Sequence, residues 1–423
     1  MARALYTALW FVALPFLPLR LWWRGRREPG YRARIGERFG RYRADAPRPS
    51  GDVIWIHAVS LGETRAAVPL VARLLRERPA ATVLLTHMTA TGRAAGAKLY
   101  GERVLQAWLP YDVPFAIRAF LARFRPRAGL LMETELWPNL AAACRAAGVP
   151  LFLVNARLSP KSAAGYARIG ALARPLLQSL AGVAAQSAAD AARLAALGAQ
   201  DVAVTGNLKF DVAAPPASLA AGQALRAEIG GARPVWIAAS TRDGEEELVL
   251  DALAAAADAL PPATLTIIVP RHPQRFDEVA RRLADRSVPF VRRSAGTPPA
   301  PGDAVLLGDT LGELFAYYAA SDVAFVGGSL LPLGGQNLLE PIAAGVPTLV
   351  GPHTFNFAEA SAQAEAAGAI VRVRDAADLM TNVAALLRDP VARQAMSARE
   401  GSFCAAHRGA ADRLWEWLAP RLP

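Results

Sequence analysis

The sequence predicts an α/β protein built from two domains, each with a parallel sheet covered by helices on both faces. Two observations favour this class: short apolar runs alternate with helical apolar spacing, and the alternation occurs as two separate series. The length of 423 residues agrees with this, because a single hydrophobic core rarely grows beyond about 250–300 residues. Each domain should therefore hold roughly 200 residues.

The predicted strands are short runs rich in aliphatic and aromatic residues, each followed by a polar loop and a helix-like segment. An alanine- and proline-rich stretch, residues 212–225, separates the two series and is the predicted join. The predicted strands are residues 53–57, 82–87, 104–109, 129–132, 151–155 and 183–186 in the first series, and 235–239, 265–269, 305–307, 323–326 and 348–350 in the second.

The amino-terminal segment combines the most apolar and the most basic parts of the chain. Residues 4–19 carry no charge, whereas residues 20–48 carry ten arginines against three acidic residues, a local charge of +7. An uncharged run interrupted by Pro15 and Pro18 is slightly short for a bilayer span of about 20 residues. Tryptophans and arginines at its edge are typical of an interface with anionic headgroups. We expect a membrane anchor in residues 1–23, spanning or interfacial; a buried amino-terminal helix is the alternative.

Composition argues against several other classes. Cys144 and Cys404 lie far apart in alanine-rich, helix-like contexts, so we expect no disulfide framework, no zinc site and a reducing compartment. The apolar run is not followed by a small-residue cleavage site, so a removed signal peptide is not expected. The basic segment is not interleaved with a base-stacking platform, and nucleic acid is therefore not an expected partner. The sequence carries no signal of oligomeric state.

Polar residues cluster in the loops that follow the predicted strands, where ligands bind in open parallel sheets. Four of the five histidines fall in such loops. A glycine-rich loop at residues 327–336 follows one strand and leads into a helix-like segment. Glycines let a backbone approach a ligand, and a helix start offers unpaired N–H groups to a phosphate. Glu340 in that segment suits a ribose hydroxyl. The pattern predicts a nucleotide site, with an ordinary glycine-rich turn as the alternative.

A series of motifs runs through nearly the whole chain: LYTAL at 5–9, RGRR at 24–27, GERFG at 36–40, HAVSLGE at 57–63, ETELWPN at 133–139, NARLS at 155–159, GNLKFD at 206–211 and GGQNLLEP at 334–341. This ordered series resembles the 3-deoxy-D-manno-octulosonic acid (Kdo) transferase family. The resemblance implies a GT-B architecture, in which two Rossmann-like domains face each other across a cleft. The domains would be an acceptor domain at 24–212 and a CMP-Kdo-binding domain at 213–423.

The resemblance also implies an activity and its partners. The expected reaction transfers Kdo from CMP-Kdo to the lipid A precursor (lipid IVA), early in lipopolysaccharide core assembly. Inner-membrane lipids are the third expected partner, and the cytoplasmic face of the bacterial inner membrane is the expected location. A leaving group that already bears a single phosphate does not require a divalent cation. We therefore expect no metal and no cofactor.

Three catalytic residues follow from the resemblance. Transfer to a sugar hydroxyl needs a base and a stabilised oxocarbenium-like transition state. Glu63 matches the family's proposed base, although a glutamate in a first helical turn also complements the helix dipole. Glu133 and Lys209 match positions assigned to transition-state stabilisation, with Glu135 as the alternative to Glu133. The chain has three lysines among 47 basic residues, so Lys209 is not its default cation, and its point charge suits a carboxylate or phosphate.

The second domain should hold the nucleotide. Arg271 and the helix starts near Gly312 and Asn337 suit the phosphate of CMP, which gains charge as it leaves. His272 is either a ligand contact or a packing residue. The predicted contacts are Arg271, His272, Gly312, Glu313, Leu314, Asn337, Leu338, Leu339 and Glu340, with Ser240, Thr241 and Arg242 lining the donor site.

Two other functional classes remain open on the sequence alone. A nucleotide-sugar epimerase could share the two domains and the phosphate loops, but it would not need a membrane anchor beside a basic segment. A catalytically silent membrane scaffold is the non-enzyme alternative. Carboxylates and a lysine at the predicted strand ends argue against it.

Overall fold

The computed structural model describes residues 1–42, 49, 51–212 and 214–423. Within these residues the chain forms two compact units, Met1–Asp211 with Gly409–Pro423, and Val212–Arg408. Each unit contains a seven-stranded sheet in which every described strand pair is parallel. The predicted class of two parallel α/β domains is confirmed. The end of the basic segment, residues 43–48, and position 213 of the predicted join lie outside the described residues.

The first unit has the strand order β3-β2-β1-β4-β5-β6-β7. Side chains of β1 alternate between two hydrophobic clusters, because successive residues of a strand point to opposite faces. Its strands are β1 Val53–His57, β2 Thr82–His87, β3 Leu105–Trp108, β4 Pro126–Met132, β5 Leu151–Ala156, β6 Gly182–Ala185 and β7 Val202–Val204. Its helices include α1 Ala2–Ala13, α2 Leu17–Arg24, α3 Leu61–Ala66, α4 Val68–Glu77, α5 Ala90–Tyr100, α6 Pro114–Phe124, α7 Pro138–Ala146, α8 Pro160–Arg168, α9 Gly170–Gln178 and α10 Ala188–Ala196.

The second unit has the strand order β10-β11-β9-β8-β12-β13-β14. Its strands are β8 Val235–Thr241, β9 Leu265–Pro270, β10 Phe290–Arg292, β11 Val305–Leu307, β12 Val323–Val326, β13 Thr348–Val350 and β14 Ile370–Arg372. Its helices include α11 Pro216–Ile229, α12 Glu245–Ala255, α13 Phe276–Asp285, α14 Leu314–Ala319, α15 Leu339–Ala343, α16 Ala358–Ala366, α17 Ala376–Arg388 and α18 Pro390–His407.

Three strands escaped the sequence prediction: β7, β10 and β14. All three lie at sheet edges and have three residues each. Their side chains are mostly only partly buried, and so short and mixed a run has no distinctive apolar signature.

The last helix, α19 Ala410–Leu418, corrects the predicted domain limits. The sequence analysis assigned all of 213–423 to the second domain, but Gly409–Pro423 belongs to the first unit. Leu414 and Leu418 are buried in the same cluster as Ile54 and Ile56 of β1. The Asp211 carboxylate accepts hydrogen bonds from the backbone N–H groups of Gly409 (3.1 Å) and Ala411 (2.8 Å). This contact ties the helix start to the loop that carries Lys209.

The amino-terminal helices α1 and α2 also belong to the first unit. Together they make a segment, Ala2–Arg24, that is long and apolar enough to cross a membrane, although most of it is exposed. Leu17 and Leu21 are buried in a small cluster with Tyr31 and Tyr111. The predicted anchor therefore packs along one face against the first unit.

Candidate active site

Glu63 lies in the first turn of α3, just beyond the carboxyl end of β1. Ser60 caps this helix: its Oγ accepts from the Glu63 N–H (3.3 Å) and donates to Glu63 Oε1 (2.8 Å). The backbone N–H of Val59 donates to Glu63 Oε2 (2.9 Å). This arrangement is a variant of the capping box, in which side chains satisfy the free N–H groups of a helix start. The Glu63 carboxylate is thereby held in one orientation.

The environment of Glu63 changes its acidity. The residue is only 8% exposed, and burial, together with the charges of Glu133 and Glu135, raises the pKa of its carboxyl to about 7, although the Val59 and Ser60 hydrogen bonds oppose the shift. A carboxyl with a pKa near neutrality is suited to proton transfer at that pH. The helix cap and a catalytic role are thus compatible in one residue.

Glu133 and Lys209 form an ion pair near Glu63. Glu133 follows β4, the neighbour of β1, and has a left-handed backbone (φ 58°). Its N–H donates to the Val154 carbonyl (3.0 Å). Lys209 Nζ lies 2.6 Å from Glu133 Oε1. Glu63 and Lys209 are 146 positions apart in the sequence. The sheet order therefore brings together residues that are distant in the chain.

Asn155 positions the lysine and was missed as a site residue. It is the second-last residue of β5, next to β4, is fully buried, and has a left-handed backbone (φ 50°) that asparagine tolerates better than most residues. Its Oδ1 accepts from the Leu208 N–H (2.9 Å), and the Asn207 Oδ1 accepts from the Lys209 N–H (3.0 Å). An asparagine near the carboxyl end of an apolar strand was the available signal.

Glu135 occupies a different environment from Glu133. It accepts a hydrogen bond from the indole N–H of Trp137 (3.1 Å). Burial raises the pKa of its carboxyl above the usual value, and the charge of Glu133 adds to this. Glu135 and Trp137 line a cavity of about 310 Å³ whose other walls include Tyr6, Leu172 and Leu176. Of the two carboxylates, Glu133 is the one paired with Lys209.

Two of the strand-end histidines are interior residues. His57 is fully buried, and its Nδ1 lies 2.9 Å from the Thr86 hydroxyl. The Nδ1 of His87 lies 2.9 Å from the Ala58 carbonyl. Burial lowers the pKa of His57 to about 3 and that of His87 to about 4. Both rings are therefore neutral at physiological pH. The His57 ring links β1 to β2, and the His87 ring contacts the loop before α3.

In the second unit, the glycine loop after β12 lies against the loop after β8. A side chain at Gly327 would place its Cβ 2.7 Å from Thr241 Cα, so this position requires glycine. The Gln336 N–H donates to the Gly327 carbonyl (3.0 Å), which closes the loop on itself. The sequence analysis expected this glycine to let the backbone approach a ligand. In the structure, glycine is required here because two strand-end segments pack closely against each other.

Glu245 holds these two loops together and was not predicted. It is fully buried at the start of α12. Its carboxylate accepts from the backbone N–H groups of Arg242 (2.9 Å), Ser329 (3.0 Å) and Leu330 (3.0 Å), and also from Gly328. The carboxylate thus supplies the hydrogen bonds that these buried N–H groups would otherwise lack.

Thr241 differs from its expected role. The sequence analysis placed it on the donor site, but its side chain is fully buried and its hydroxyl donates to Glu246 Oε1 (2.8 Å). The same carboxylate is paired with Arg275 (2.8 Å). Thr241 therefore supports the loop instead of lining a surface.

Arg271 and Glu340 have partners within the predicted nucleotide site. Arg271 Nε donates to Gln336 Oε1 (3.1 Å), and Asn337 Nδ2 donates to Glu340 Oε1 (3.0 Å). The pKa of His272 is lowered by burial and by the charges of Arg242, Arg271 and Arg275. The ends of β8 and β9 thus carry a cluster of positive charge suited to an anion.

The remaining predicted contacts differ in their surroundings. Leu338 and Leu339 are buried core residues, and so only their backbones are available to a ligand. Glu313 is paired with Arg293 (3.4 Å) and accepts a hydrogen bond from the Tyr317 hydroxyl (3.3 Å). Leu314 packs against a core cluster, and Gly312 is exposed in a left-handed turn (φ 87°).

The two helices that start near Gly312 and Asn337 are short. They are Leu314–Ala319 and Leu339–Ala343. Helices of five and six residues have few aligned peptide dipoles. The arginines at the ends of β8 and β9 are therefore the better candidates for holding a phosphate.

The paired parallel sheets, with polar loops at their carboxyl ends, define the class of two-domain GT-B proteins. A solved structure of this type is UDP-GlcNAc 2-epimerase from Neisseria meningitidis bound to UDP-GlcNAc, with a TM-score of 0.55. It is 16% identical, and the similarity covers 88% of this chain and 100% of that chain. At this identity the likeness shows the fold alone.

Sequence comparisons identify the family within this class. Residues 33–212 match the family model described as 3-Deoxy-D-manno-octulosonic-acid transferase (kdotransferase). The chain is 50% identical to the 3-deoxy-D-manno-octulosonic acid transferase of Bordetella pertussis over 99% of this chain and 100% of the relative. It is 38% identical to that of Haemophilus influenzae over 100% and 99%. The chain belongs to the Kdo transferase family and is a glycosyltransferase of lipopolysaccharide core assembly, not an epimerase or a silent scaffold.

Proposed function

We propose that this Kdo transferase uses CMP-Kdo as donor and the lipid A precursor (lipid IVA) as acceptor, with Glu63 as the general base. The proposal depends most on the buried Glu63 carboxyl, whose pKa is raised to about 7. It lies at the same sheet edge as the Glu133–Lys209 pair. The proposed location is the cytoplasmic face of the bacterial inner membrane.

In the proposed reaction, an acceptor hydroxyl attacks the anomeric carbon of Kdo. The new carbon–oxygen bond forms as the bond to the phosphate of CMP breaks, and the hydroxyl proton passes to Glu63. The charge of Lys209 suits the sugar carboxylate of Kdo, while Glu133 orients the lysine and offsets positive charge on the sugar. Arg271 neutralises the phosphate of the departing CMP. No metal ion is required, since a single phosphate carries the leaving charge.

An acceptor with hydrocarbon chains suits the surroundings of the ETELWPN loop. The cavity beside Glu135 is walled by Trp137 and by aliphatic residues of α9, and Tyr6 of α1 contributes to it. Aromatic and aliphatic walls with a few polar groups are typical of sites for amphiphilic small molecules. This cavity supports an acceptor that is part lipid.

The direct test is a mass-spectrometric assay with CMP-Kdo and lipid IVA, in the presence and absence of EDTA. We expect product whose mass rises by one or more Kdo units, with the same rate in both conditions. Loss of activity in EDTA that Mg²⁺ restores would refute the metal-independent reaction. Absence of transfer to lipid IVA, with transfer to another acceptor, would refute the acceptor.

The pH dependence of kcat/KM should report Glu63. A base must be deprotonated, so activity should rise with pH through about 7 and then level off. The charge of Glu135 raises the pKa of Glu63, and Glu135→Gln should therefore move the rising limb to lower pH. If the rising limb of the pH profile is unchanged in this variant at saturating CMP-Kdo, the titrating group is not Glu63.

Nucleotide affinity should depend on Arg271 and Glu340. We expect Arg271→Ala and Glu340→Ala each to weaken CMP binding by about 1.5–3 kcal/mol, because a charged hydrogen bond is lost. Isothermal titration calorimetry measures the change. Arg286→Ala is the control, since Arg286 forms a surface pair with Asp251. Unchanged CMP affinity in both test variants would refute this placement.

A further inference from the structure

One face of the amino-terminal segment is fastened to the first unit. The Thr7 hydroxyl donates to Asn139 Oδ1 (2.9 Å), and the Tyr6 hydroxyl is hydrogen-bonded to the Asp112 carboxylate. Trp10 packs at 5.7 Å from the ring of Tyr111. Further along, Leu17 and Leu21 are buried. The contacts extend over 16 residues, from Tyr6 to Leu21, and so involve most of the length of the segment.

The opposite face is a continuous apolar stripe without a described partner. Its spacing of four, three, four and three residues places the side chains on one side of a helix. Each of them is between 61% and 69% exposed. We call this stripe the outer face; it consists of Leu5, Leu9, Val12, Phe16 and Leu19.

The apolar surface continues onto the globular part of the first unit. Phe115, at the start of α6, is 41% exposed and lies 6.4 Å from the ring of Phe11. An exposed aromatic residue beside an exposed apolar helix enlarges the apolar patch, and large exposed apolar patches mark protein or membrane interaction sites. No sequence pattern links Phe115 to the amino terminus.

Arginines stacked on tryptophans border the end of this surface. Arg26 lies 4.2 Å and Arg32 5.5 Å from the ring of Trp22, and Arg27 lies 5.9 Å from the ring of Trp23. Tryptophan prefers the headgroup level of a bilayer, and clustered arginines attract anionic lipids. The charge of this border therefore complements an anionic membrane surface.

A spanning arrangement conflicts with the docked face. If the helix crossed the bilayer while docked, Asp112 and Asn139 would enter the hydrocarbon, where charged and polar groups are costly. If it left the domain to cross, Thr7 and Tyr6 would lose their partners and the cluster around Leu17 and Leu21 would be exposed. A segment that lies in the membrane interface keeps the contacts of its docked face and buries its apolar outer face in lipid, as monotopic amphipathic helices do.

We infer that the segment Ala2–Arg24 lies in the plane of an anionic phospholipid surface. The outer face and Phe115 enter the acyl layer, and the arginine–tryptophan border meets the headgroups. This inference rests on the proposed membrane location but not on the proposed reaction. It assigns the acceptor domain itself, not a separate tether, to the membrane surface.

Depth measurements on the full-length protein test the geometry. Since Cys144 and Cys404 are buried, single cysteines at Leu5, Val12 and Leu19 can carry an environment-sensitive NBD label on vesicles containing phosphatidylglycerol. We expect similar blue-shifted emission at all three positions and comparable quenching by lipids brominated at one depth. A spanning helix would instead give a graded series, with Val12 deepest, and this outcome would overturn the inference.

Side-specific labelling gives an independent readout. In inside-out inner-membrane vesicles, a membrane-impermeant maleimide should label Arg3→Cys as it labels Ala164→Cys, an exposed position of the same unit. Protection of Arg3→Cys until detergent is added would place the amino terminus across the membrane and refute the in-plane arrangement. Neither readout requires transfer activity, so failure of the proposed reaction would be seen separately.

A matched pair of substitutions tests the extension to Phe115. Phe115→Glu should lower partitioning onto phosphatidylglycerol vesicles at least five-fold, and its position in a first helical turn tolerates an acidic residue. Val391→Glu, at a more exposed apolar residue of the second unit (75% against 41% for Phe115), should leave partitioning unchanged. Equal effects of the two substitutions, or no effect of Phe115→Glu, would show that Phe115 does not contact the membrane.

Discussion

Glu63→Gln should lower kcat by about 10²–10⁴, the usual contribution of proton transfer to a base. Glutamine keeps the shape of the side chain but cannot accept the proton of the acceptor hydroxyl. CMP affinity should remain unchanged, because Glu63 belongs to the first unit and the predicted nucleotide residues to the second. Single-turnover transfer from CMP-Kdo, with calorimetry of CMP binding in parallel, measures both quantities.

Ser60→Ala is the matched control for this prediction, because it disturbs the same helix cap without removing the carboxylate. Loss of such a cap costs about 1 kcal/mol of stability, but turnover at high pH should stay near the normal rate. The Ser60 hydrogen bond lowers the pKa of Glu63, so its removal should move the rising limb of the pH profile to higher pH. Normal turnover in Glu63→Gln would refute the assignment as base.

Glu63→Gln should also change how the stability of the protein depends on pH. The pKa of Glu63 is raised from 4.5 to about 7 in the folded state, so folding binds a proton between these values and stability falls as pH rises through that window. A shift of this size corresponds to roughly 3 kcal/mol. Thermal unfolding of Glu63→Gln should lack this loss when pH 5 and pH 8 are compared.

Lys209→Met should lower kcat by about 10²–10³, the range found when one charged or hydrogen-bonding group is removed from a transition state. The substitution removes the positive charge and leaves the Glu133 carboxylate without the partner 2.6 Å away. Steady-state transfer assays at saturating CMP-Kdo measure the effect. The two other lysines of the chain, Lys98 and Lys161, are exposed, and their substitution by methionine should leave kcat unchanged.

A double substitution separates catalysis from structure. In Glu133→Gln/Lys209→Met the unpaired carboxylate is gone, so stability should recover relative to Lys209→Met alone. Activity should stay low if Lys209 acts on the substrate. Recovery of activity together with stability would make the pair a structural ion pair.

Much of the fold was predictable because the signal for parallel strands is local. Strands such as β1 are buried on both faces and read as continuous apolar runs. The strand-end rule then selected the loops with Glu63 and Glu133, whereas Lys209 was predicted from the family resemblance. The edge strand β7 was missed because it is short and only partly buried. Family membership is confirmed by the relatives; the roles of the individual site residues stay predictions.

The role of Glu245 was beyond sequence reasoning for a different reason. A glutamate at a helix start is common, and its role depends on which N–H groups surround it in space. Three of the groups bound by Glu245 are more than 80 residues away in the chain. Such long-range hydrogen bonds have no periodicity and no local composition that would reveal them.

The sequence by itself determined the type and order of most strands, the two-sheet class and the family, because periodicity and motifs are properties of neighbouring residues. The tertiary structure decided the rest. It placed Gly409–Pro423 in the first unit, through burial of Leu414 and Leu418. It also brought Glu133 to Lys209 and raised the pKa of Glu63. These outcomes depend on burial and on charges that are distant in the chain, and both exist only once the sheets have formed.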